Sequence, residues 1–295
     1  MSAAPAPGLG GIWTAPSREC SVMLGWAGGT DTGLTRERNE DSFFARAPLF
    51  VVADGMGGHA AGDLASAAVT GSLAALRETP MGPEQIQGGL ARATELIAEH
   101  TGVIGGGGGS TVVGVTVTER AGAPYWMFFN LGDSRAYLLS GEEFSRVSVD
   151  HSVVQALVDG GALTTDQAAT DRRRNVITRA VGFEADPVPD YWLIPILAGS
   201  TVLCCSDGLT AEVSEEKIHA ILSAAPTPRI AVDSLIAEAL AAGGRDNVTA
   251  VVVRAGEIRG AARRTPGESG GGRHARPLTH SPLDNHNRLP GKDGS

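Results

Sequence analysis

Acidic residues stand at the ends of four apolar runs in this chain. Asp54 follows LFVVA, Asp133 follows MFFNLG, Asp207 follows TVLCCS, and Asp246 directly precedes NVTAVVV. Apolar runs of this length, bounded by Gly or Asp, are typical of buried strands whose last residue emerges at the rim of a sheet. Asp followed by Gly or Ser also makes ordinary tight turns. Carboxylate oxygens presented together are, however, the ligands that magnesium and manganese prefer, so the repetition predicts a metal site.

The order of the apolar runs indicates the fold class. The strand candidates are 42–45, 49–53, 111–118, 125–131, 135–139, 201–205 and 248–254. Helical periodicity covers 62–76, 83–100 and 228–242. Paired strands followed by helices favour an α+β fold with antiparallel sheets covered by helices, because a doubly wound fold would alternate strand and helix.

Length and charge restrict the function further. A chain of 295 residues that is 42% hydrophobic can bury the core of one large domain. The formal net charge of -9 disfavours nucleic acid as a partner. Three cysteines cannot build a disulfide framework, which suits a reducing compartment. The N-terminus lacks the pattern of a signal peptide and no run is long enough for a membrane span, so we expect a cytoplasmic protein.

Composition also suggests domain boundaries. Residues 1–21 are rich in Ala, Pro and Gly without periodicity and are predicted to form a flexible leader. The patterned body covers residues 22–256. Residues 257–295 contain no aromatic side chain and collect Gly, Pro, Arg and His, which predicts a disordered tail.

An ordered set of motifs runs through the body. The motifs are DTGLTRERNED (31–41), ADGMGGHAAGDLAS (53–66), NLGDSRAYL (130–138), DHS (150–152), RNVITRAVG (174–182), SDGLT (206–210) and GRDN (244–247). Each motif alone is compatible with an ordinary turn. The set resembles the metal-dependent protein serine/threonine phosphatases, the PPM or type 2C family, in its bacterial form. This resemblance implies a four-layer α-β-β-α sandwich of two antiparallel sheets flanked by helices, with a flap at about 152–180 near the active site.

The resemblance also assigns roles to individual residues. It implies two manganese or magnesium ions, with a weaker third ion in bacterial members. The implied ligands are Asp54 bridging both ions, the carbonyl of Gly55 on one, Asp207 and Asp246 on the other, Glu40 through water, and Asp133 with Asp207 at the third. Arg36 matches the phosphate-binding arginine of the family, and a planar guanidinium can grip two phosphoryl oxygens at once. The catalytic set is therefore Arg36, Asp54, Asp207 and Asp246.

Two segments depart from the family pattern or extend it. Some members carry a general-acid His where this chain has Met56, and Met cannot donate a proton; His59 is close in sequence but displaced by three residues. In the flap, the run of arginines 172–174 is either a contact for phosphopeptides or a solvated face.

Three functions compete on this basis. The leading interpretation is a protein phosphatase that hydrolyses phosphoserine and phosphothreonine monoesters with a metal-activated water, because two cations acidify a shared water and screen the anionic ester. Its expected partners are Ser/Thr-phosphorylated proteins, including Ser/Thr kinases. The alternative is a non-catalytic phosphoprotein-binding regulator of the same fold. A metal-dependent nuclease is disfavoured by the acidic balance and by the absence of interleaved aromatic and basic residues.

Overall fold

The structure is a computed structural model that describes residues 9–57, 61–76, 81–102 and 107–260. Its strands are β1 (Leu9–Thr14), β2 (Ser21–Asp31), β3 (Asp41–Arg46), β4 (Leu49–Gly57), β5 (Gly108–Ser110), β6 (Val112–Arg120), β7 (Ala123–Leu131), β8 (Arg135–Ser140), β9 (Glu143–Arg146), β10 (Asp190–Pro195), β11 (Thr201–Cys205) and β12 (Val248–Arg259). Its helices are α1 (Ala61–Ala74), α2 (Pro83–Thr101), α3 (Val153–Asp159), α4 (Thr165–Thr170), α5 (Asp207–Thr210), α6 (Glu215–Ala224) and α7 (Pro228–Ala242).

Two antiparallel sheets form the centre of the fold. In the described part of the chain, the first sheet has the order β1-β2-β12-β11-β8-β9 and the second has the order β10-β7-β6-β4-β3, with β5 pairing to β4. The inner faces of the two sheets share one apolar core that includes Trp26, Phe50, Trp126, Phe128 and Trp192. Alternating side chains of each strand supply this core, as expected for sheets packed face to face.

Helices cover the outer faces of both sheets. Val232 and Leu235 of α7 pack with Ile218 of α6 against the outer face of the first sheet. Val69 of α1 and Leu90 of α2 pack against the outer face of the second sheet. The four-layer α-β-β-α sandwich is therefore confirmed. No helix within the described ranges is long and apolar enough to cross a bilayer.

The predicted N-terminal leader needs correction. Residues Leu9–Thr14 form β1, which pairs antiparallel with β2, and Trp13 packs against the core between the sheets. The Gly-rich sequence of this segment does not predict a strand. The strand forms because the main chain of β1 hydrogen-bonds to β2. At the other end, the first residues of the predicted tail, 257–259, belong to β12, and the remainder from 261 lies outside the described residues.

The strong periodic segments agree with the prediction to within a few residues. Strand β11 and helix α7 have the predicted bounds, and α7 begins with Pro228 after Thr227, whose side chain accepts a hydrogen bond from the Ile230 amide. Such a cap satisfies an amide that has no partner in the first helical turn. The flap contains the short helices α3 and α4, which the sequence reading did not predict.

Candidate active site

Acidic side chains from both sheets meet at one end of the sandwich. Asp54 lies near the end of β4, and its partner in the register of β3 is Asp41. Asp133 lies in the turn between β7 and β8, Asp207 begins α5 directly after β11, and Asp246 precedes β12. We call these five residues the acidic cluster. The structure thus brings together the four strand-end carboxylates that the sequence singled out and adds Asp41 to them.

The pKa values show how closely these groups approach each other. Burial raises the pKa of Asp54 well above its usual value, and the charges of Asp41, Asp207 and Asp133 raise it further. The interaction between the Asp54 and Asp207 carboxyl groups raises the pKa of Asp54 and lowers that of Asp207. Burial and the charge of Asp246 raise the pKa of Asp207. Like charges in a partly buried site repel one another, so protons are retained to higher pH.

Asp133 and Asp41 show the same effect. Burial, followed by the charges of Asp207 and Asp150, raises the pKa of Asp133 to about 7. Burial likewise raises the pKa of Asp41 to about 7, although hydrogen bonds from Thr249 and Ser206 oppose the shift. The cluster is therefore short of positive charge, which is the condition under which carboxylates bind a cation in place of protons.

Asp41 is a site residue that the sequence reading missed. Its Oδ2 accepts hydrogen bonds from Ser206 Oγ at 2.8 Å and Thr249 Oγ1 at 2.6 Å. Its Oδ1 is buried and has no hydrogen-bond partner within the described residues. The available signal was its place beside Glu40, at the first residue of an apolar strand that pairs with the strand carrying Asp54.

Asn247 fixes the segment that carries Arg36 and Glu40. Its Nδ2 donates to the carbonyls of Thr32 at 3.0 Å and Arg38 at 2.9 Å, and its Oδ1 accepts from the Glu40 amide at 2.8 Å. Its own amide donates to Asp246 Oδ1 at 2.8 Å. One buried side chain therefore holds the loop before β3 against the strand that follows Asp246.

Arg36 lies at the exposed side of the acidic cluster. Its Nη2 donates to Asp246 Oδ2 at 2.8 Å, and its side chain is 52% exposed. This hydrogen bond raises the pKa of Arg36, and the charges of Asp246, Glu40 and Asp54 add to the effect. The guanidinium is thus close to the carboxylates yet accessible to an anionic ligand from solvent.

Glu40 and Gly55 occupy a tight crossing beside Asp54. The Gly55 amide donates to the Glu40 carbonyl at 3.1 Å. A Cβ at Gly55 would lie 2.0 Å from the Gly62 carbonyl oxygen and 2.5 Å from the Glu40 carbonyl oxygen. Only Gly fits where the backbone of β4 passes so close to the start of α1. Met56 follows on β4 in register with Gly109, whereas His59 lies outside the described residues.

The donor set fits a hard divalent cation in its chemistry. The cluster offers oxygen ligands only, and Asp41 Oδ1 has no partner within the described residues. Among residues 9–57, 61–76, 81–102 and 107–260, no three Asp, Glu, His or Cys side chains are arranged so that they could hold a metal ion.

Sequence comparisons identify relatives of known class. No family model matches the chain. The serine/threonine protein phosphatase PstP of Mycobacterium tuberculosis is 37% identical over 246 residues, which are 79% of this chain and 45% of PstP. The serine/threonine phosphatase stp of Listeria innocua is 33% identical over 239 residues, which are 76% of this chain and 93% of stp. The chain thus spans less than half the length of PstP but nearly all of stp.

Solved structures give the same result. The crystal structure of PstP superposes with a TM-score of 0.73 at 34% identity, covering 80% of this chain and 100% of that chain. The catalytic domain of PstP in complex with two manganese ions gives a TM-score of 0.71 at 35% identity, covering 80% of this chain and 99% of that chain. The 33% identity to stp, 93% of which is covered by this chain, places the protein in the class of serine/threonine phosphatases. Within that class it belongs to the bacterial PPM family.

Proposed function

We propose that this chain hydrolyses phosphoserine and phosphothreonine monoesters of proteins at a site for two manganese or magnesium ions. The observation that carries the proposal is the acidic cluster, in which partly buried carboxylates from both sheets raise one another's pKa values. The manganese-containing structure of PstP supports the choice of metal, because its fold is that of this chain at 35% identity.

The proposed ligand roles are those that the family resemblance implies. Asp54, the Gly55 carbonyl, Asp207 and Asp246 would hold the two ions. Glu40 would act through water, and Asp133 would serve a weaker third ion. Two bound cations would supply positive charge to the phosphoryl group and acidify a water molecule between them.

The chain's own residues bind and orient the substrate. Arg36 is exposed and pairs with Asp246, so its guanidinium can exchange that carboxylate for two phosphoryl oxygens when Asp246 binds metal. Asn247 keeps the Arg36 loop in place through the Thr32 and Arg38 carbonyls. Asp41, held by Ser206 and Thr249, supplies a further negative charge beside Asp54.

Hydrolysis of p-nitrophenyl phosphate and of a phosphothreonine peptide tests this proposal. We expect turnover with manganese, none with EDTA, and a loss of about 1000-fold or more in Asp54→Asn and Asp207→Asn, since each removes a ligand of the reacting centre. Asp233→Asn is the matched control, because Asp233 lies on the outer helix α7 and forms an ion pair with Arg229 of the same helix. Its activity should equal that of the wild type.

The same experiment separates the proposal from its alternative. Tight manganese binding by calorimetry, without turnover of any phosphoprotein, would favour a non-catalytic phosphoprotein-binding regulator. Phosphorylated Ser/Thr kinases belong to the proposed substrate class and are the first proteins to assay. The cytoplasmic location expected from the sequence stays a prediction.

A further inference from the structure

The turn that carries Asp133 is held by hydrogen bonds to both peptide groups that flank Gly132. The Gly132 carbonyl accepts from the His151 amide at 2.8 Å and from Asn130 Nδ2 at 3.1 Å. The Gly132 amide donates to His151 Nδ1 at 3.1 Å. Gly132 has a φ of +119°, and a Cβ there would lie 2.7 Å from the Thr111 side chain. The residue before Asp133 therefore has one defined conformation, and His151 contacts both of its polar groups.

The side chain of His151 is oriented from its other ring nitrogen. Nδ1 accepts the Gly132 amide, and Nε2 lies 3.2 Å from Asp190 Oδ2 and 2.7 Å from Arg179 Nη1. Arg179 Nη1 donates to Asp190 Oδ1 at 3.0 Å. His151 is only 8% exposed, so these contacts are sheltered from solvent.

The main chain of His151 joins this turn to the base of the flap. The His151 carbonyl accepts from the Thr178 amide at 2.8 Å, and the Val153 amide donates to the Val176 carbonyl at 2.8 Å. Three residues beyond Thr178, Val181 exchanges hydrogen bonds with Ser110 at 2.9 and 3.0 Å. The end of the flap at Thr178 is thus hydrogen-bonded to His151, the residue that directly precedes the start of the flap.

We propose that His151 is a positioning residue for Asp133. Its Nδ1 holds the Leu131–Gly132 peptide and its main-chain amide holds the Gly132–Asp133 peptide. Asp190 and Arg179 hold the ring at Nε2, and the base of the flap completes the support. The proposal rests on the proposed function only where Asp133 is taken to bind a metal ion. The alternative is that the buried ring of His151 only fills space, and the experiments below distinguish the two roles.

Two substitutions separate the two ring nitrogens. In His151→Asn, the Oδ1 atom replaces Nδ1 and can still accept the Gly132 amide. In His151→Gln, the Nε2 amide replaces the ring Nε2 and can still donate to Asp190, while the acceptor for Gly132 is lost. A space-filling role predicts equal effects of the two variants, or a milder effect of Gln because it is larger. His219→Gln is the matched control, since His219 stacks on Phe144 in another part of the fold.

The first measurement uses metal-free protein and follows hydrogen exchange of the Gly132 amide by NMR. Loss of one hydrogen bond in His151→Gln should speed exchange roughly 3- to 10-fold, whereas His151→Asn and His219→Gln should stay near the wild-type rate. Equal exchange in the Asn and Gln variants would overturn the proposal. If the Gln variant does not fold, Asp190→Asn replaces it, because Asn puts an NH2 donor at one of the two oxygen positions that face His151 and Arg179. Faster Gly132 exchange in Asp190→Asn would then support the proposal, and an unchanged rate would overturn it.

The second measurement is a manganese titration followed by electron paramagnetic resonance. We expect His151→Gln to weaken about 10-fold the same binding step that Asp133→Asn weakens, and to leave the tighter steps unchanged. The double variant should bind no more weakly than Asp133→Asn alone. Additive weakening would show that His151 acts independently of Asp133 and would overturn the proposal. If the wild type binds no manganese, the proposed function fails, while amide exchange still decides the role of His151.

Discussion

Carboxylates in two neighbouring regions of this protein have opposite electrostatic surroundings. In the region below the flap, burial alone would raise the pKa of Asp190, but hydrogen bonds from His151 and Arg179 outweigh burial and lower it. In the acidic cluster, burial and neighbouring carboxylates raise the pKa values of Asp41 and Asp54. The pKa values shift in opposite directions because positively charged side chains lie beside Asp190 but few lie beside the acidic cluster.

Asp150 and Asp133 show this contrast within one stretch of chain. Arg135 donates to Asp150 through Nε at 3.1 Å and through Nη2 at 2.6 Å. Burial alone would lower the pKa of Arg135, but the hydrogen bonds and charge of Asp150 raise it. Asp133 lies two residues before Arg135 and forms no ion pair with any of the residues that the structure describes. The charge of Asp150 is thus neutralised by an arginine of the same chain. Asp133 of the acidic cluster has no such partner and would need a bound cation.

The largest expected effect comes from neutralising Asp150, which has an arginine partner, in comparison with neutralising Asp207 in the acidic cluster. Asp150→Asn should lower the free energy of unfolding by about 3 kcal/mol, because it leaves Arg135 partly buried without its partner. Asp207→Asn should cost metal-free protein nothing, or stabilise it, because it removes repulsion with Asp54 and Asp246. Urea unfolding in EDTA measures both. Equal destabilisation by the two variants would mean that the cluster is internally compensated after all.

A pH titration of stability sharpens the same comparison. Asp41 and Asp133 have folded-state pKa values of about 7, above the usual value of 3.8. Groups with raised pKa values contribute stability that is fully present below pH 3.8 and is lost as pH rises through 7. Each of these two groups should therefore cost metal-free protein on the order of 2 kcal/mol of unfolding free energy between pH 5 and pH 8.

Manganese provides the control for that titration. The cation replaces the protons, so the loss between pH 5 and pH 8 should largely disappear when the metal is saturating. Asp41→Asn should also flatten the metal-free profile, since it removes one of the titrating groups. A metal-free profile that rises with pH would contradict the assigned direction of these shifts.

The sequence predicted the parts of the molecule that local patterns determine. Strand β11 and helix α7 were found with the predicted bounds, because a continuous apolar run and a capped periodic segment are local signals. Strand β2 was missed because it contains Gly28 and Gly29. A Cβ at Gly28 would lie 2.4 Å from the Phe43 ring, and one at Gly29 would lie 2.9 Å from Val232. Glycine is required at these two positions by packing partners that are distant in sequence.

The site divides in the same way. Asp54, Asp133, Asp207 and Asp246 were found because each stands at the end of an apolar run. Asp41 and the contact between His151 and Gly132 depend on residues brought together by the fold, including Thr249, which lies 208 residues from Asp41. No local pattern carries that information. The sequence therefore predicted where the cluster forms but not how its supporting residues hold it.

The smallest expected effect concerns Arg36, the arginine that borders the acidic cluster. Arg36 is 52% exposed and Arg135 is 27% exposed, so the pair of Arg36 with Asp246 contributes little to stability. Arg36→Lys should leave the free energy of unfolding within about 0.5 kcal/mol of the wild type. It should lower kcat/KM for a phosphothreonine peptide about tenfold, because an ammonium group cannot grip two phosphoryl oxygens. Steady-state kinetics with saturating manganese measure this effect, and Arg38→Lys is the matched control. If both lysine variants retained wild-type kcat/KM, Arg36 would be another structural cation like Arg135, and the contrast between the two regions would lose its functional meaning.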